Sequence, residues 1–473
     1  MDNAEIKTFL SWPFESDVLM RRQKSLKRQL LDREGISYLK KRIAIFGGST
    51  TTDFKNMLEI FLLAAGIQAE FRESEYNQYY EDSVFPSQEW MEFQPDIVMV
   101  FTSFVNLTHL PVMTDSQQEV EKKAKLEYEK YESVWKGIER NYKAVVIQNN
   151  FEMPYMCPLG SFDAALYQSH GRFVNILNHL FAKYAQTQPN FYLFDIHRLA
   201  ASVGLANWHN RFQYYAYKLA MNYDVIPIVA LHAAHLMRAI LGYSKKCLVL
   251  DLDNTLWGGE IGDVGVDGIE LGHETPGGEA YVEFQSYVLS LQRRGILLAV
   301  CSKNEEDIAK EGFHHPDSVL KVEDFADFKA NWDTKDRNIR RIAANLNIGL
   351  DSMVFLDDNP VERQLVRENL PEVSVPEVDP TNVFSYIQVL EENGYFEICS
   401  LSEDDFLRNE TYRQNTQRME LKNQSDSYDE FLKSLDMEAE ICSFRPVYFE
   451  RISQLTNKSN QFNLTTRRYT VAD

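Results

Sequence analysis

The sequence lacks the features that define several large classes of protein. Its 473 residues include only five cysteines, spread from Cys157 to Cys442, with neither metal-ligand spacing nor the density of a disulfide framework. No run reaches the ~18 apolar residues that a membrane-spanning helix needs. Residues 1–16 lack the basic start and apolar stretch of a secretion signal. These absences predict a cytoplasmic protein with reduced thiols.

Positive charge is also scarce. The formal net charge is −21, so the chain as a whole would repel the phosphates of a nucleic acid. We interpret the basic run of residues 21–28 as the solvated face of a helix. We therefore expect neither a nucleic acid nor a membrane as a partner, although a local basic patch for a small phosphorylated substrate stays open.

The chain does contain a regular alternation of apolar strands and helices. Hydrophobic residues make up 44% and charged residues 25%, an ordinary balance for a folded protein. Over residues 1–240 the pattern predicts a parallel sheet with helical crossovers. The predicted strands are Lys41–Gly47, Pro95–Phe101, Ala144–Gln148 and Phe191–Asp195, and the predicted helices begin near Asp53 or span Glu119–Tyr142 and Ile226–Leu241.

A second α/β domain with a parallel sheet is predicted over residues 243–395. Its strands are Lys246–Leu252, Ile296–Cys301 and Met353–Leu356, and the glycine-rich residues 258–272 are compatible with a hairpin. Acidic residues lie at carboxyl ends of these strands, where open α/β sheets bind ligands. Residues 400–473 begin with a predicted helix, Glu403–Lys422, and contain too few apolar residues for a complete domain.

Asp251 and Asp253, at the end of strand Lys246–Leu252, predict phosphoryl-transfer chemistry. Two neighbouring carboxylates attract a divalent cation, and their hard oxygen ligands favour Mg²⁺. The cation screens the approach of an anionic phosphate. One carboxylate, which we predict to be Asp251, then attacks phosphorus and forms an aspartyl-phosphate. The other protonates the leaving oxygen and later activates water.

The unit resembles the haloacid dehalogenase superfamily of phosphotransferases, whose first motif is a strand followed by Asp-x-Asp-x-Thr. That likeness implies a three-layer α/β/α fold of Rossmann-like type. It further implies that Ser302, after Ile296-Leu-Leu-Ala-Val-Cys, hydrogen-bonds a phosphoryl oxygen. The third motif implies that Lys335 neutralises phosphoryl charge, with Lys329 as the alternative.

The fourth motif of that superfamily is an acidic pair after a strand. It is matched by Asp357 and Asp358 after Val354-Phe-Leu. The resemblance implies that these two residues complete the metal shell begun by Asp251 and Asp253.

The wider motifs are similar to those of the FkbH-like family. They are Asp-Leu-Asp-Asn-Thr-Leu-Trp-Gly-Gly-Glu-Ile-Gly-Asp-x-Gly, Cys-Ser-Lys-Asn, Asn-Trp-x-x-Lys and Phe-Leu-Asp-Asp-Asn-Pro-Val-Glu-Arg. The likeness runs from about residue 240 to the end, with a looser match before it. It implies an enzyme that takes a glyceryl unit from 1,3-bisphosphoglycerate, removes phosphate and loads the unit onto an acyl carrier protein. It also implies that residues 400–473 are part of an acetyltransferase-like α+β region.

Such a transfer implies a thiol that carries the acyl group, and Cys301 beside Ser302 is the candidate; a buried structural strand residue is the alternative. Cys247, early in its strand, is a weaker candidate. His273, Glu274 and Lys303 follow the motif segments. They either contact substrate or belong to solvated loops.

The first domain looks like a degenerate SGNH (GDSL-type) hydrolase, a flavodoxin-like three-layer fold. Ser49 in Gly47-Gly-Ser-Thr takes the nucleophile position, on a strand-to-helix turn whose amides can stabilise an oxyanion. Asn106 matches the third motif without its Gly, and Asp195-Ile-His197 is one residue short of the last motif. His209 is therefore the alternative base. A helix-capping or turn role is the other interpretation of Ser49.

The leading hypothesis is therefore an FkbH-like, Mg²⁺-dependent phosphatase coupled to acyl transfer, which acts on a phosphorylated three-carbon acid. A plain phosphatase for a sugar or acid phosphate is the second hypothesis. The third is a scaffold that recruits an acyl carrier protein through residues 1–240.

Overall fold

The computed structural model describes residues 3–33, 35–401, 403–406, 412, 438, 440–458, 467, 469–471 and 473. The chain divides into two compact units. The first unit is Phe14–Arg238 with Tyr469–Asp473, and the second unit is Ala239–Arg468 with Met1–Pro13. The predicted first domain, residues 1–240, included the first residues of the chain. The structure instead joins Met1–Pro13 to the second unit, where Trp12 N donates to Asn393 Oδ1 at 2.9 Å.

The first unit contains a five-stranded sheet in the order β2-β1-β3-β4-β5, and every described pairing in it is parallel. The three middle strands form because their apolar residues are buried on both faces of the sheet. The strands are β1 (Leu39–Gly47), β2 (Ile67–Glu73), β3 (Ile97–Phe101), β4 (Val145–Asn149) and β5 (Phe191–Phe194).

Helices connect these strands and cover the sheet. The helix at the start of the chain, α1 (Asn3–Leu10), belongs to the second unit instead. The longest helix of the first unit, α6, begins with a capping box in which Ser116 and Glu119 satisfy each other's backbone N–H groups. The helices from α2 onward are α2 (Ser16–Leu31), α3 (Thr52–Ala64), α4 (Tyr79–Val84), α5 (Gln88–Phe93), α6 (Gln117–Tyr142), α7 (His170–Ala185), α8 (Ile196–Val203), α9 (Leu205–Trp208), α10 (Arg211–Tyr217) and α11 (Ile226–Ile240).

The second unit contains a four-stranded parallel sheet in the order β8-β7-β6-β9. Alternate residues of its strands enter two separate cores. Leu248 and Leu250 pack on one side, whereas Cys247, Val249 and Cys301 pack on the other. The sheet is therefore covered on both faces, as a parallel sheet requires. The strands are β6 (Cys247–Leu250), β7 (Leu297–Ser302), β8 (Asp327–Ala330) and β9 (Met353–Leu356).

Short and medium helices alternate with these strands. They are α12 (Ile261–Val264), α13 (Pro276–Arg293), α14 (Glu306–Glu311), α15 (Lys335–Leu346), α16 (Pro360–Asn369), α17 (Tyr386–Glu392), α18 (Glu403–Phe406) and α19 (Phe449–Lys458). Among the helices of the described residues, none is both long and apolar enough to cross a membrane.

The prediction of an α/β fold with two parallel sheets is confirmed. The glycine-rich segment closes through an antiparallel bridge between Gly258 and Glu270, with α12 inside it. Most of the predicted helix Glu403–Lys422, and most of the acetyltransferase-like region predicted over 400–473, lies outside the described residues.

Candidate active site

The loop after β6 carries the first two candidate residues out of the sheet. Asn254 adopts a left-handed backbone conformation, with φ of 53°, and this conformation turns the chain directly after Asp253. The Asn254 side chain accepts a hydrogen bond from Gly259 N at 2.9 Å. Its carbonyl accepts from the hydroxyl groups of Tyr281 and Tyr386 at 3.4 and 3.2 Å. The turn is therefore fixed by side chains from α13 and α17.

Three carboxylates and one ammonium meet at the carboxyl edge of the second sheet. Oxygen atoms of Asp251, Asp357 and Asp358 all lie within 4.8 Å of one another. Lys335 Nζ lies 2.7 Å from Asp251 Oδ1 and 2.9 Å from Asp357 Oδ2, and it donates to the Cys301 carbonyl at 2.9 Å. The Lys335 side chain is only 2% exposed. The structure thus brings together three of the four predicted metal ligands and the predicted lysine.

The acidic group carries more negative charge than its lysine neutralises. Burial and repulsion from Asp251 raise the pKa of Asp357 to about 7 and that of Asp358 to about 6, although Lys335 opposes both shifts. Burial disfavours the charged form of Lys335, but Asp251 and Asp357 outweigh it and hold the Lys335 pKa above its usual value. Close carboxylate oxygens with excess negative charge fit a hard divalent cation such as Mg²⁺, which these three aspartates could hold.

Asp253, predicted as a fourth metal ligand, lies outside this acidic group. Its Oδ1 accepts hydrogen bonds from Trp257 Nε1 at 2.9 Å and Ile261 N at 3.1 Å, and its Oδ2 accepts from Asn304 Nδ2 at 2.8 Å. These donors hold the side chain away from the other three carboxylates. A carboxylate has about four acceptor positions, so Oδ2 keeps one for a proton-bearing group of substrate or water.

Ser302 ends β7 beside the acidic group and is 2% exposed. Its hydroxyl contacts Asn304 Nδ2 at 3.4 Å, and its carbonyl accepts from Asn331 N at 3.2 Å. Lys329, the alternative to Lys335, instead pairs with Asp327 at 2.8 Å within β8. The ion pairs of the acidic group therefore belong to Lys335.

Cys301 and Cys247 are both fully buried in the core that lies on one face of the sheet. The Cys301 thiol lies 3.7 Å from the Lys335 carbonyl. Burial raises the pKa of the Cys301 thiol to about 12, although Lys335 lowers it in part. Burial also raises the pKa of Cys247 above its usual range. Because the nucleophilic form of cysteine is the thiolate, these observations favour the structural interpretation of both residues.

Sequence reasoning did not single out Asn304 and Trp257, which hold Asp253. Asn304 belongs to the Cys-Ser-Lys-Asn motif and Trp257 to the first motif, so their place in the motifs was the available signal. His273 and Glu274 are exposed, and His273 Nδ1 lies 3.9 Å from Glu279. Lys303 pairs with Glu362 of α16.

The candidate nucleophile of the first unit is Ser49, in the turn between β1 and α3. Ser49 is 5% exposed, and its hydroxyl forms no hydrogen bond with another described residue. The N-cap of α3 is Thr51, so Ser49 does not cap the helix. The Asn106 side chain lies beside the turn, donates to Gly48 O at 2.7 Å and Asn77 Oδ1 at 3.1 Å, and accepts from Ser103 N at 2.9 Å.

The candidate bases of the first unit are not hydrogen-bonded to Ser49. The His209 ring nitrogen Nε2 lies 3.5 Å from Met153 O, and burial lowers the His209 pKa. The Asp195 carboxylate caps α8 and accepts from Asn150 Nδ2 at 2.7 Å. His197 contacts the Phe151 carbonyl at 3.0 Å. No pair among the candidates therefore has the hydrogen-bonded arrangement that activates a serine.

A buried acid, Glu152, also follows β4 in the first unit and was not predicted. Glu152 is 1% exposed, and its Oε1 accepts from Phe104 N at 3.2 Å. Burial raises its pKa to about 7. The flanking sequence, Phe151-Glu-Met-Pro, carries no recognisable motif.

The fold and the acidic group define the class of protein. Parallel sheets and an Asp251-Lys335-Asp357 arrangement at a sheet's carboxyl edge are those of a haloacid dehalogenase-like unit. Residues 42–237 match the family model described as FkbH, N-terminal domain. The chain belongs to the FkbH-like family, as its motifs predicted.

A solved structure extends this likeness over most of the chain. It is described as the N-terminal part of the protein BF1531 from Bacteroides fragilis, containing a phosphatase domain complexed with Mg. It is 34% identical, covers 80% of this chain and 99% of its own, and superposes with a TM-score of 0.73. No curated protein matches the sequence.

Proposed function

We propose that this protein is an Mg²⁺-dependent FkbH-like phosphatase that removes phosphate through an aspartyl-phosphate on Asp251. The observation that carries the proposal is the group formed by Asp251, Asp357 and Asp358 with Lys335 between two of them. The phosphatase domain of the Bacteroides fragilis relative, described as complexed with Mg, supports it. Magnesium bound by the three aspartates would withdraw charge from the phosphoryl group.

Each residue of the chain has a distinct task in the proposed reaction. Lys335 engages Asp251 Oδ1, so the other carboxylate oxygen attacks phosphorus while the bond to the leaving oxygen breaks. Asp253 Oδ2 donates a proton from its remaining position to the leaving oxygen. The carboxylate then takes a proton from the attacking water. Water attack releases phosphate and restores the Asp251 carboxylate. The Ser302 hydroxyl donates to a phosphoryl oxygen.

The finer proposal is that the substrate is 1,3-bisphosphoglycerate and that its glyceryl unit is loaded onto an acyl carrier protein. The carrier thiol attacks the acyl carbon and expels the C1 phosphate as the thioester forms, and the Asp251 site removes the phosphate ester at C3. The FkbH-like resemblance supports this step. The buried thiols of Cys301 and Cys247 argue that the acceptor thiol belongs to the carrier protein, because neither cysteine can reach a substrate. The same burial favours the second candidate function, a plain phosphatase without any thiol step.

One experiment tests the reaction and separates these candidates. The full chain is incubated with 1,3-bisphosphoglycerate and Mg²⁺, with and without a purified acyl carrier protein, and the products are followed by phosphate release and mass spectrometry. We expect phosphate release by the wild type and, with the carrier protein present, a glyceryl adduct on its thiol. Asp251→Asn should release no phosphate without the carrier protein and should give an adduct that keeps its phosphate when the carrier is present. Phosphate release without an adduct would favour the plain phosphatase. An adduct on Cys301, lost in Cys301→Ala, would contradict the external acceptor, and undiminished release by Asp251→Asn would contradict the mechanism.

For the first unit we propose a binding role that serves this transfer, such as holding the carrier protein or its acyl chain, rather than ester hydrolysis. The absence of a hydrogen bond between Ser49 and His209 supports this choice. Hydrolysis of 4-nitrophenyl acetate by the full chain tests it. A rate that falls in both Ser49→Ala and His209→Ala would show that the unit is an esterase.

A further inference from the structure

Three N–H donors hold the two carboxylate oxygens of Asp253 in different ways. Oδ1 accepts from Trp257 Nε1 at 2.9 Å and from Ile261 N at 3.1 Å. Oδ2 accepts from one donor of the described residues, Asn304 Nδ2 at 2.8 Å. A carboxylate oxygen has about two acceptor positions, so Oδ1 is filled and Oδ2 keeps one position. A proton on Asp253 can therefore reside only on Oδ2.

Close packing fixes the indole that donates to Oδ1. Trp257 is fully buried, and its ring centroid lies 5.3 Å from that of Phe313 in an edge-to-face arrangement. A Cβ added at Gly312 would lie 2.6 Å from Trp257 Cη2 and 3.0 Å from Ile261 Cδ1, closer than the optimal separation of carbon atoms. Glycine at position 312 therefore leaves the space that both Trp257 and Ile261 need to reach Oδ1.

Burial alone does not account for the hydrogen bond of the indole. A buried tryptophan usually finds some partner for its N–H group, and a backbone carbonyl would serve. Trp208 of the first unit is also buried, yet its Nε1 has no hydrogen-bond partner among the described residues. Trp257 instead donates to the carboxylate that the proposed reaction uses for proton transfer.

We propose that Trp257 and Gly312 are positioning residues for proton transfer. Trp257 occupies Oδ1, so that the proton of Asp253 stays on Oδ2, and Gly312 provides the space for the indole. This inference rests on the proposed phosphatase function and specifies which oxygen of its acid carries the proton. As the bond between phosphorus and the leaving oxygen breaks, the electron pair stays on that oxygen. The oxygen takes the Oδ2 proton and leaves Asp253 as a carboxylate.

Two phosphate esters with different leaving groups test the inference in the full chain with Mg²⁺. The leaving alkoxide of 3-phosphoglycerate needs a proton, whereas 4-nitrophenyl phosphate releases a stable anion. Trp257→Phe keeps an aromatic ring but removes the N–H group. We expect its kcat/KM for 3-phosphoglycerate to fall by roughly tenfold to a hundredfold, and that for 4-nitrophenyl phosphate by less than about threefold. The comparison uses kcat/KM because this ratio covers the steps up to loss of the leaving group, before water attacks.

Gly312→Ala is a second variant that keeps every donor. The φ of Gly312 is −57°, which alanine also adopts, so the added Cβ is the main change. We expect the Cβ to displace Trp257 and to cause the same selective loss for 3-phosphoglycerate. This variant decides the question if Trp257→Phe does not fold.

Matched controls are available in the first unit. Trp208→Phe removes a buried N–H group without a described partner, and Gly137→Ala adds a Cβ that would lie 2.6 Å from Ser83 O. Both should leave the ratio of the two kcat/KM values unchanged. Equal losses for the two esters in Trp257→Phe, or no loss for either, would overturn the inference and show that the indole serves packing only. A selective loss in Trp257→Phe alone would overturn the role of Gly312. Failure of the wild type to release phosphate from either ester would instead overturn the proposed function.

Discussion

The carboxyl edges of the two parallel sheets differ in how their polar groups are satisfied. In the first unit, the Asn106 side chain beside the Ser49 turn is fully engaged by Gly48, Ser103 and Asn77. The nearby Glu73 carboxylate is paired with Lys55 at 2.8 Å. In the second unit, three carboxylates lie close together, one ammonium pairs with two of them, and the group keeps excess negative charge. The comparison teaches that the same architecture can leave charge balanced at one sheet edge and unbalanced at the other, and we propose that only the unbalanced edge binds metal and reacts. Four predictions test this difference.

The largest expected effect separates the two candidate nucleophiles. Asp251→Asn should lower Mg²⁺-dependent phosphate release by at least about a thousandfold, because the amide cannot attack phosphorus. Ser49→Ala should leave release unchanged within about twofold. Steady-state phosphate assays on both full-length variants provide the measurement. Comparable losses of phosphate release in Asp251→Asn and Ser49→Ala would show that the two sheet edges do not differ in reactivity.

Removal of the ammonium should cost the second unit much of its stability. Lys335→Met leaves the buried carboxylates of Asp251 and Asp357 without their partner, and breaking a buried pair costs about 3–5 kcal/mol of unfolding free energy. Urea unfolding without Mg²⁺ at pH 8 measures the loss. The exposed ion pair of Lys27 with Glu59 provides the control, since Lys27→Met should lower the unfolding free energy by less than about 1 kcal/mol. Similar losses of unfolding free energy in Lys335→Met and Lys27→Met would argue that the buried carboxylates do not depend on Lys335.

The excess charge should also appear in the pH dependence of stability. Unfolded aspartates lose their protons near pH 4, whereas Asp357 and Asp358 lose theirs near 7 and 6 in the folded protein. The folded state binds more protons between these limits, so stability should fall by several kcal/mol as the pH rises from 4 to 8 without Mg²⁺.

Thermal or urea unfolding across this pH range, with and without Mg²⁺, measures the effect. Bound Mg²⁺ stabilises the folded state and should reduce the fall, because it compensates the carboxylate charges. Asp357→Asn should flatten the metal-free profile and weaken the response to Mg²⁺. A stability that rises with pH in the metal-free wild type would contradict the charge imbalance.

The smallest expected effect lies in the first unit. Asn106→Ala removes the partners of Gly48 O and Ser103 N, and we expect a loss of about 2 kcal/mol in unfolding free energy. Asn207→Ala, which removes an exposed hydrogen bond to Val203 O, should cost less than about 0.5 kcal/mol. Phosphate release at saturating substrate should be unchanged in both. A large loss of release in Asn106→Ala would show that the edge of the first sheet takes part in the chemistry.

Sequence patterns predicted the strands that are written as apolar runs and missed two strands that contain charged residues. Strands β3 and β9, and residues 43–47 of β1, are buried along their whole length, so each is written as a continuous apolar run. Strands β2 (Ile67–Glu73) and β8 (Asp327–Ala330) were not predicted. They lie at the edges of their sheets, where partial exposure admits charged residues and breaks the apolar pattern.

Within the candidate site, the residue types at the end of one strand pointed to Asp251, and the resemblance to the haloacid dehalogenase motifs pointed to Lys335, Asp357 and Asp358. Carboxyl ends of parallel strands meet at one edge, which is why these residues lie together. Side-chain partners were beyond the reach of sequence patterns. The donors that draw Asp253 away from the acidic group come from residues as distant as Asn304.

The sequence by itself therefore determined the two parallel sheets, the FkbH-like membership and the acidic residues of the candidate site. Tertiary structure alone decided which of those acids lie within 4.8 Å of one another, that Cys301 is enclosed, and that Lys303 is accessible while Lys335 is not. The physical reason is that hydrophobic periodicity and motif chemistry are local along the chain. Burial and charge balance depend on neighbours that only folding brings together.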